Sequence, residues 1–189
     1  MIRDWDKRGR NFAKCESPIE NDFLRCFYKL KADDVSVNSQ VFCQTAAGRF
    51  RLDFVITQWD RKIGFECDGK EFHDEERDSI RDWAILESGF VNAIYRVPGA
   101  SIWRSTNDVL DLLQKAENSL LSSRGRRNLD ILINNDDLVR EDHWRNNFVV
   151  RKLAKKVMEE DYTDEVDDIK WPVSLFLKWR SRENQSATS

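Results

Sequence analysis

The chain has 189 residues, of which 40% are hydrophobic and 34% charged, with 7 Gly and 3 Pro. That length can bury a core without disulfide staples, and the composition is too apolar for a disordered chain and too charged for a membrane protein. No apolar run approaches the roughly 18 residues of a spanning helix, so no membrane partner is expected. The first residues, Met1-Ile2-Arg3-Asp4-Trp5-Asp6, lack an apolar stretch of the secretory type, and a cytoplasmic location is the expectation. Cys15, Cys26, Cys43 and Cys67 form no CxxC pair, and with only His73 and His143 beside them they read as free thiols rather than a zinc site.

The net charge is −3, but it is unevenly spread. Seven carboxylates fall between Glu159 and Asp168 with no base among them, and taking those seven charges out of −3 leaves +4. The first 31 residues carry eight bases against five acids, and residues 124–156 carry nine against five. Such regions are compatible with nucleic acid without requiring it.

Ser17-Pro18-Ile19-Glu20 reads as a capping box with Pro at the first helical position. Ile19, Phe23, Cys26, Phe27 and Leu30 then recur at helical spacing, so the helix buries one face. A strand follows from Val35 to about Cys43. In Arg49–Ile56, alternation puts Phe50, Leu52, Phe54 and Ile56 on one face and Arg49, Arg51 and Asp53 on the other. In Lys62–Asp68, Ile63, Phe65 and Cys67 oppose Glu66 and Asp68. A four-residue link, Gln58-Trp59-Asp60-Arg61, suits a hairpin. Opposed positions then sum to 119, so Asp53 faces Glu66, Arg51 faces Asp68, and three carboxylates converge on one patch.

Gly69 ends that strand. A helix runs from about Asp74 to Ser88 and ends at Gly89. Val91–Val97 reads as another strand, and Thr106 caps a helix carrying Val109, Leu110, Leu113, Ala116 and Leu120. The order α-β-β-β-α-β-α is an α/β arrangement, a mixed sheet flanked by helices. Arg124-Gly125-Arg126-Arg127 marks a boundary between residues 1–123 and a mostly helical extension, 124–189. The extension holds a helix around Asn147–Glu160, the acidic run and an aromatic stretch, Trp171–Trp179. Trp171, Phe176 and Trp179 read as core, and Glu183–Ser189 as a frayed tail.

Two carboxylates on adjacent strands cost repulsion that a hard cation relieves. Magnesium takes a few carboxylate oxygens and bridges to phosphate. Asp53 with Glu66-Cys67-Asp68 therefore suits metal-assisted phosphodiester hydrolysis, with the Cys67 carbonyl as a further ligand.

Arg51-Leu52-Asp53-Phe54, followed by Glu66-Cys67-Asp68-Gly69-Lys70-Glu71-Phe72-His73, resembles the PD-(D/E)XK nuclease superfamily. It is most similar to the very-short-patch-repair-like branch, with its E-x-D-G-x-x-x-H signature. Ser17-x-x-Glu20 and Asp78-x-x-Arg81…Leu86-x-x-Gly89 fit the same branch, and the resemblance covers about Ser17 to Leu121. It implies a restriction-endonuclease-like core that cuts or nicks DNA with Mg²⁺, for which Mn²⁺ can substitute. Asp53 and Glu66 would hold the metal, Asp68 would add a ligand or orient a water, and Glu20 would reach in from the first helix. His73 would be a general base or phosphate contact. The superfamily's usual lysine, two positions after the glutamate, is Asp68 here, and Lys70 could supply the positive charge.

Arg77 and Arg81, one turn apart, together with Arg49 and Arg51, are the candidate DNA contacts. Two other readings stand beside the nuclease. One is a catalytically silent nucleic-acid-binding subunit. The other is a partner-dependent end-cutting subunit of a transposase or defence complex that docks through the extension.

Overall fold

The computed structural model describes residues 4–69, 75–133, 148–154 and 165–171, the last two segments as backbone only. Helices α1 (Asp4–Lys14) and α2 (Pro18–Leu30) precede strands β1 (Val35–Thr45), β2 (Gly48–Gln58) and β3 (Arg61–Asp68). Then come α3 (Glu75–Glu87), β4 (Ala93–Pro98), α4 (Gly99–Ala116), α5 (Ser123–Leu132), β5 (Phe148–Ala154) and β6 (Glu165–Trp171). Strands β1 to β4 make a mixed sheet: β1–β2 and β2–β3 are antiparallel hairpins, and β3–β4 is parallel, crossing over through α3. Strands β5 and β6 extend it to the order β1-β2-β3-β4-β5-β6. The α/β expectation holds at this level.

Helices cover both faces of the sheet. On one, α2, α4 and α5 enclose Phe23, Phe27, Phe54, Ile56, Ile63, Phe65, Tyr95 and Leu113. Phe23 stacks on Phe65 with ring centroids 4.0 Å apart, and burial of each such side chain stabilises by about 1.5–3 kcal/mol. On the other, α3 covers Cys43, Leu52, Val55, Ile85, Leu86 and Ile94 with a smaller core.

Strands β1 and β2 change face along their length. Val35 and Val37 pack with the α2 core and Cys43 with the α3 core, although all three are odd-numbered. Likewise Phe54 and Ile56 face α2, while Phe50 and Leu52 face α3, so the single face expected for these four residues is split in two. Gln40 causes the change: its φ is +52°, and the ladder runs from Ser39↔Phe54 to Val41↔Leu52 across it. A left-handed residue in a strand turns the pleat over, and Asp53 lies opposite that point.

Other expectations are corrected. The β2–β3 turn is the two residues Trp59-Asp60, with φ +51° at Trp59, rather than four. The pairs do sum to 119 from Gln58↔Arg61 to Phe54↔Phe65. Arg51 does not meet Asp68, however: it is paired with Phe42 in the ladder and with Glu16 by its side chain. Helix α4 begins at Gly99 and is kinked at Ser105, whose Oγ accepts from the Asp108 N–H at 3.3 Å, so Ser105 and not Thr106 caps its second half.

Helix α1 was not foreseen. Asn11 ties it to the edge strand β1, donating to the Val37 carbonyl at 2.7 Å and accepting from the Ser39 N–H at 3.1 Å.

At Arg124–Arg127 the chain forms the first turns of α5, which packs closely on α2. Ser122 caps α5, and a Cβ on Gly125 would stand 2.0 Å from the Leu30 carbonyl oxygen of α2. Beyond it, the helix expected around 147–160 is a strand over Phe148–Ala154, paired antiparallel with β4. Phe148-Val149-Val150 favours extended backbone, and a short apolar run of this kind does not reveal its period. The acidic run contributes Glu165–Asp168 to β6; Glu159–Asp164, Phe176, Trp179 and the tail lie outside the described residues.

Candidate carboxylate site

Helix α2 opens as the sequence indicates. The Glu20 N–H donates to Ser17 Oγ at 3.3 Å, and Ser17 Oγ in turn donates to Glu20 Oε1 at 2.8 Å. The reciprocal bond comes from one residue further upstream than in a standard capping box: the Glu16 N–H donates to Glu20 Oε2 at 3.1 Å. Glu20 is nonetheless more than a cap. It is buried, and Gln40 Nε2 donates to its Oε2 at 2.7 Å and to Asp53 Oδ1 at 3.4 Å. Gln40 thus joins the α2 N-terminus to β2, and its own Oε1 has no hydrogen-bond partner among the described residues.

The ladder between β2 and β3 runs as far as Phe54↔Phe65. One step further, the Cys67 N–H donates to Asp53 Oδ2 at 2.9 Å, so the carboxylate takes the place of a strand partner. Burial raises the Asp53 carboxyl to about 6 against this hydrogen bond, with the charges of Glu20 and Asp68 adding to the rise. Burial likewise raises Glu66 to about 8, and Asp53 is the largest electrostatic contribution to that shift. Burial is thus the main cause of both shifts, and the Asp53 charge adds to that of Glu66 on the adjacent strand.

Cations from α3 and β4 hold the other side. Arg81 donates to Glu66 Oε1 at 2.5 Å and to the Arg51 carbonyl at 2.8 Å. Arg96 is buried in β4 and forks onto Asp82 at 2.6 and 2.9 Å, while its Nη1 reaches Asp68 at 3.0 Å and its Nη2 lies 3.5 Å from Asp78. Burial alone would lower the Arg96 pKa, but Asp82, Asp68 and Glu66 outweigh it and raise it.

Among the described residues, no group of three His, Cys, Asp or Glu side chains is arranged to hold a metal ion. Asp53 is bound toward Gln40 and Cys67, Glu66 toward Arg81, and Asp68 toward Arg96.

The structure brings Glu20, Asp53, Glu66 and Asp68 into one electrostatically coupled neighbourhood. The Cys67 side chain points away, into the α2 core, and its thiol is raised well above the ordinary value by burial. Lys70 and His73 lie outside the described residues. Arg81 spans the site rather than standing free of it, Arg77 is exposed on α3, and Arg49 and Arg51 are exposed on β2.

Gln40, Asp82 and Arg96 escaped the sequence reading. Arg96 had a signal: a lone charge within the apolar run Ala93-Ile94-Tyr95-Arg96-Val97 must be paired when both sheet faces are covered. Gln40 had none, because nothing local marks it as left-handed. No family model, curated protein or solved structure matches this chain.

Proposed function

We propose that the protein is a metal-dependent endonuclease with a restriction-endonuclease-like core, hydrolysing DNA phosphodiester bonds at the Asp53–Glu66 site. The observation that carries this reading is the pair itself: a buried Glu66 and a half-buried Asp53 on adjacent strands, both raised, with Asp53 raising Glu66. A sheet built only for stability avoids this repulsion, and paired acids with strongly shifted titration mark functional sites.

The donors are hard oxygens of the kind Mg²⁺ or Mn²⁺ takes. Asp53 and Glu66 would hold the ion, with the Cys67 carbonyl and Asp68 beside them. Bound there, it would supply an activated water and neutralise charge developing on the phosphate. The protein's own groups prepare the place. The Cys67 N–H fixes the Asp53 rotamer, Gln40 couples Asp53 to Glu20, and Arg96 holds Asp68. Arg81 must yield part of its hold on Glu66 for a cation to share that carboxylate. Arg49, Arg51 and Arg77 supply exposed charge for a polynucleotide backbone.

One observation favours the second reading, a catalytically silent nucleic-acid-binding subunit: Glu66 and Asp68 already have cationic partners in Arg81 and Arg96. A plasmid assay with Mg²⁺, Mn²⁺ or EDTA decides between them. Metal-dependent loss of supercoiled DNA by the wild type, absent from Glu66→Gln, is the result expected of the nuclease. DNA retained on a gel but intact in every metal would favour the silent subunit.

A further inference from the structure

We infer that the outer face of the β1–β2 hairpin binds single-stranded polynucleotide, with Phe42 as a base-stacking platform that feeds the strand toward Asp53. This rests on the nuclease reading for its purpose, but the binding surface stands on its own observations.

The change of face at Gln40 creates the surface. Beyond that point Val41, Cys43, Phe50 and Leu52 turn toward α3, so the alternate residues Phe42, Gln44, Arg49 and Arg51 turn outward together. The register places Phe42 beside Arg51 and Gln44 beside Arg49. All four are exposed, and Phe42 retains 53% of its surface in solvent. The Arg49 guanidinium lies over the Phe42 ring, 3.9 Å from its centroid. An aromatic ring with a guanidinium over it presents aromatic and positively charged surface side by side, to which bases and phosphates are both attracted.

The surface also has a direction. Residues two apart on a strand stand about 6.6–6.8 Å apart, so Arg49 and Arg51 follow one another on the outer face, and β2 continues from them to Asp53 where the pleat turns over. In a duplex each base face is covered by its neighbours, so a stacking platform takes a base only from a single strand or an unpaired position. That argues for single-stranded over double-stranded substrate.

Arg51 is occupied at present. Glu16 accepts from its Nη1 and Nη2 at 2.7 and 2.6 Å, yet Glu16 is 57% exposed. The pair is bidentate but open to solvent on both sides, and a phosphate offers the guanidinium the same two-oxygen geometry, so it can compete with the carboxylate.

The test is fluorescence anisotropy of the full chain in EDTA with a labelled oligo-dT of about 15 nucleotides, within the usual span of such sites, and a duplex of equal length as competitor. The wild type is expected to prefer the single strand. Phe42→Ala should weaken binding on the order of tenfold, Phe42→Trp should retain it, and Arg49→Ala should reduce the salt slope by about one. Glu16→Gln should tighten binding by freeing Arg51. The inference is overturned if Phe42→Ala binds like the wild type or if the duplex is preferred. Because binding is read without metal, the two readings fail separately. Phe42-dependent binding without cleavage removes the nuclease, and cleavage indifferent to Phe42 removes the platform.

Discussion

The Asp53 carboxylate accepts the backbone N–H of Cys67 at 2.9 Å, just past the Phe54↔Phe65 pair of β2 and β3. An acid that serves as a backbone acceptor is fixed in position without a counter-ion, at the cost of partial desolvation. Asp53→Asn keeps an oxygen for the Cys67 N–H, whereas Asp53→Ala leaves that donor unpaired at about 1–3 kcal/mol. Both variants should lose cleavage, and only the alanine should lose marked stability in urea melts. Cleavage by Asp53→Asn at the wild-type rate would remove Asp53 from the chemistry.

Glu20 separates capping from catalysis. Its carboxylate accepts from the Glu16 N–H, Ser17 Oγ and Gln40 Nε2. Glu20→Gln keeps one of its two acceptor oxygens, so the loss should stay near the ~1 kcal/mol of an ordinary cap. If the link through Gln40 to Asp53 matters, cleavage should fall at least tenfold while the melting temperature moves only a few degrees. A rate unchanged at temperatures where the variant is folded would leave Glu20 as a cap alone.

The elements from α2 to β4 were legible because each announces itself locally. Ser17 and Pro18 start a helix, and Ile63, Phe65 and Cys67 alternate cleanly onto the α2 core. Even the hairpin register followed from that alternation. What the sequence hid was non-local. The inversion at Gln40 depends on a backbone conformation that glutamine rarely adopts, and it re-sorted Phe50 and Leu52 away from Phe54 and Ile56. Gly125 looked like punctuation, yet it is the contact that lets α5 approach the Leu30 carbonyl. Strand β5 carries no period of its own that separates it from a helix, and its pairing with β4 supplies what local spacing cannot. Among the site residues, the acids were visible as charges on strands, but their partners Arg81 and Arg96 are set by tertiary placement of α3 and β4.

Arg96 and Asp82 form the most deeply buried ion pair among the described residues, at 4% and 0% exposure. Removing one charge of such a pair leaves the other uncompensated, at about 3–5 kcal/mol. Arg96→Met should therefore be severely destabilised, and Asp68, which also leans on Arg96, should lose its orientation. Adding Asp82→Leu should restore part of the stability, because the fully buried charge is then gone and the carboxylates still deprived of Arg96, Asp68 and Asp78, are more exposed. Denaturant midpoints for the single and double variants check this. A single variant within about 1 kcal/mol of the wild type would mean that water reaches Asp82.

Gly125→Ala tests the join between α5 and α2 independently of the site. With 2.0 Å between the new Cβ and the Leu30 carbonyl oxygen, neither backbone can give way locally. Overpacking of this kind costs about 1–3 kcal/mol. The melting temperature should drop clearly, while cleavage per folded molecule stays within twofold. Unchanged stability would show that α5 does not dock on α2 in solution.

Glu66 and Asp53 make stability depend on pH in a direction opposite to that of ordinary paired carboxylates. Their ordinary values are 4.5 and 3.8, and burial raises them in the folded protein to about 8 and about 6. Arg81 pulls against both shifts without cancelling either. Between these limits the folded state holds protons that the unfolded chain has released, so stability should fall as pH rises from about 4 to about 8 and level off above. A divalent cation binds only the ionised carboxylates. Its affinity should therefore climb across pH 6–8, and added Mg²⁺ should raise the melting temperature more at pH 8.5 than at pH 5.5. Melting curves with EDTA and with Mg²⁺, repeated for Glu66→Gln, measure both effects. Loss of most of the slope in that variant is the expected outcome. A wild-type slope retained by Glu66→Gln would assign the pH dependence to other groups and weaken the case for a cation at this site.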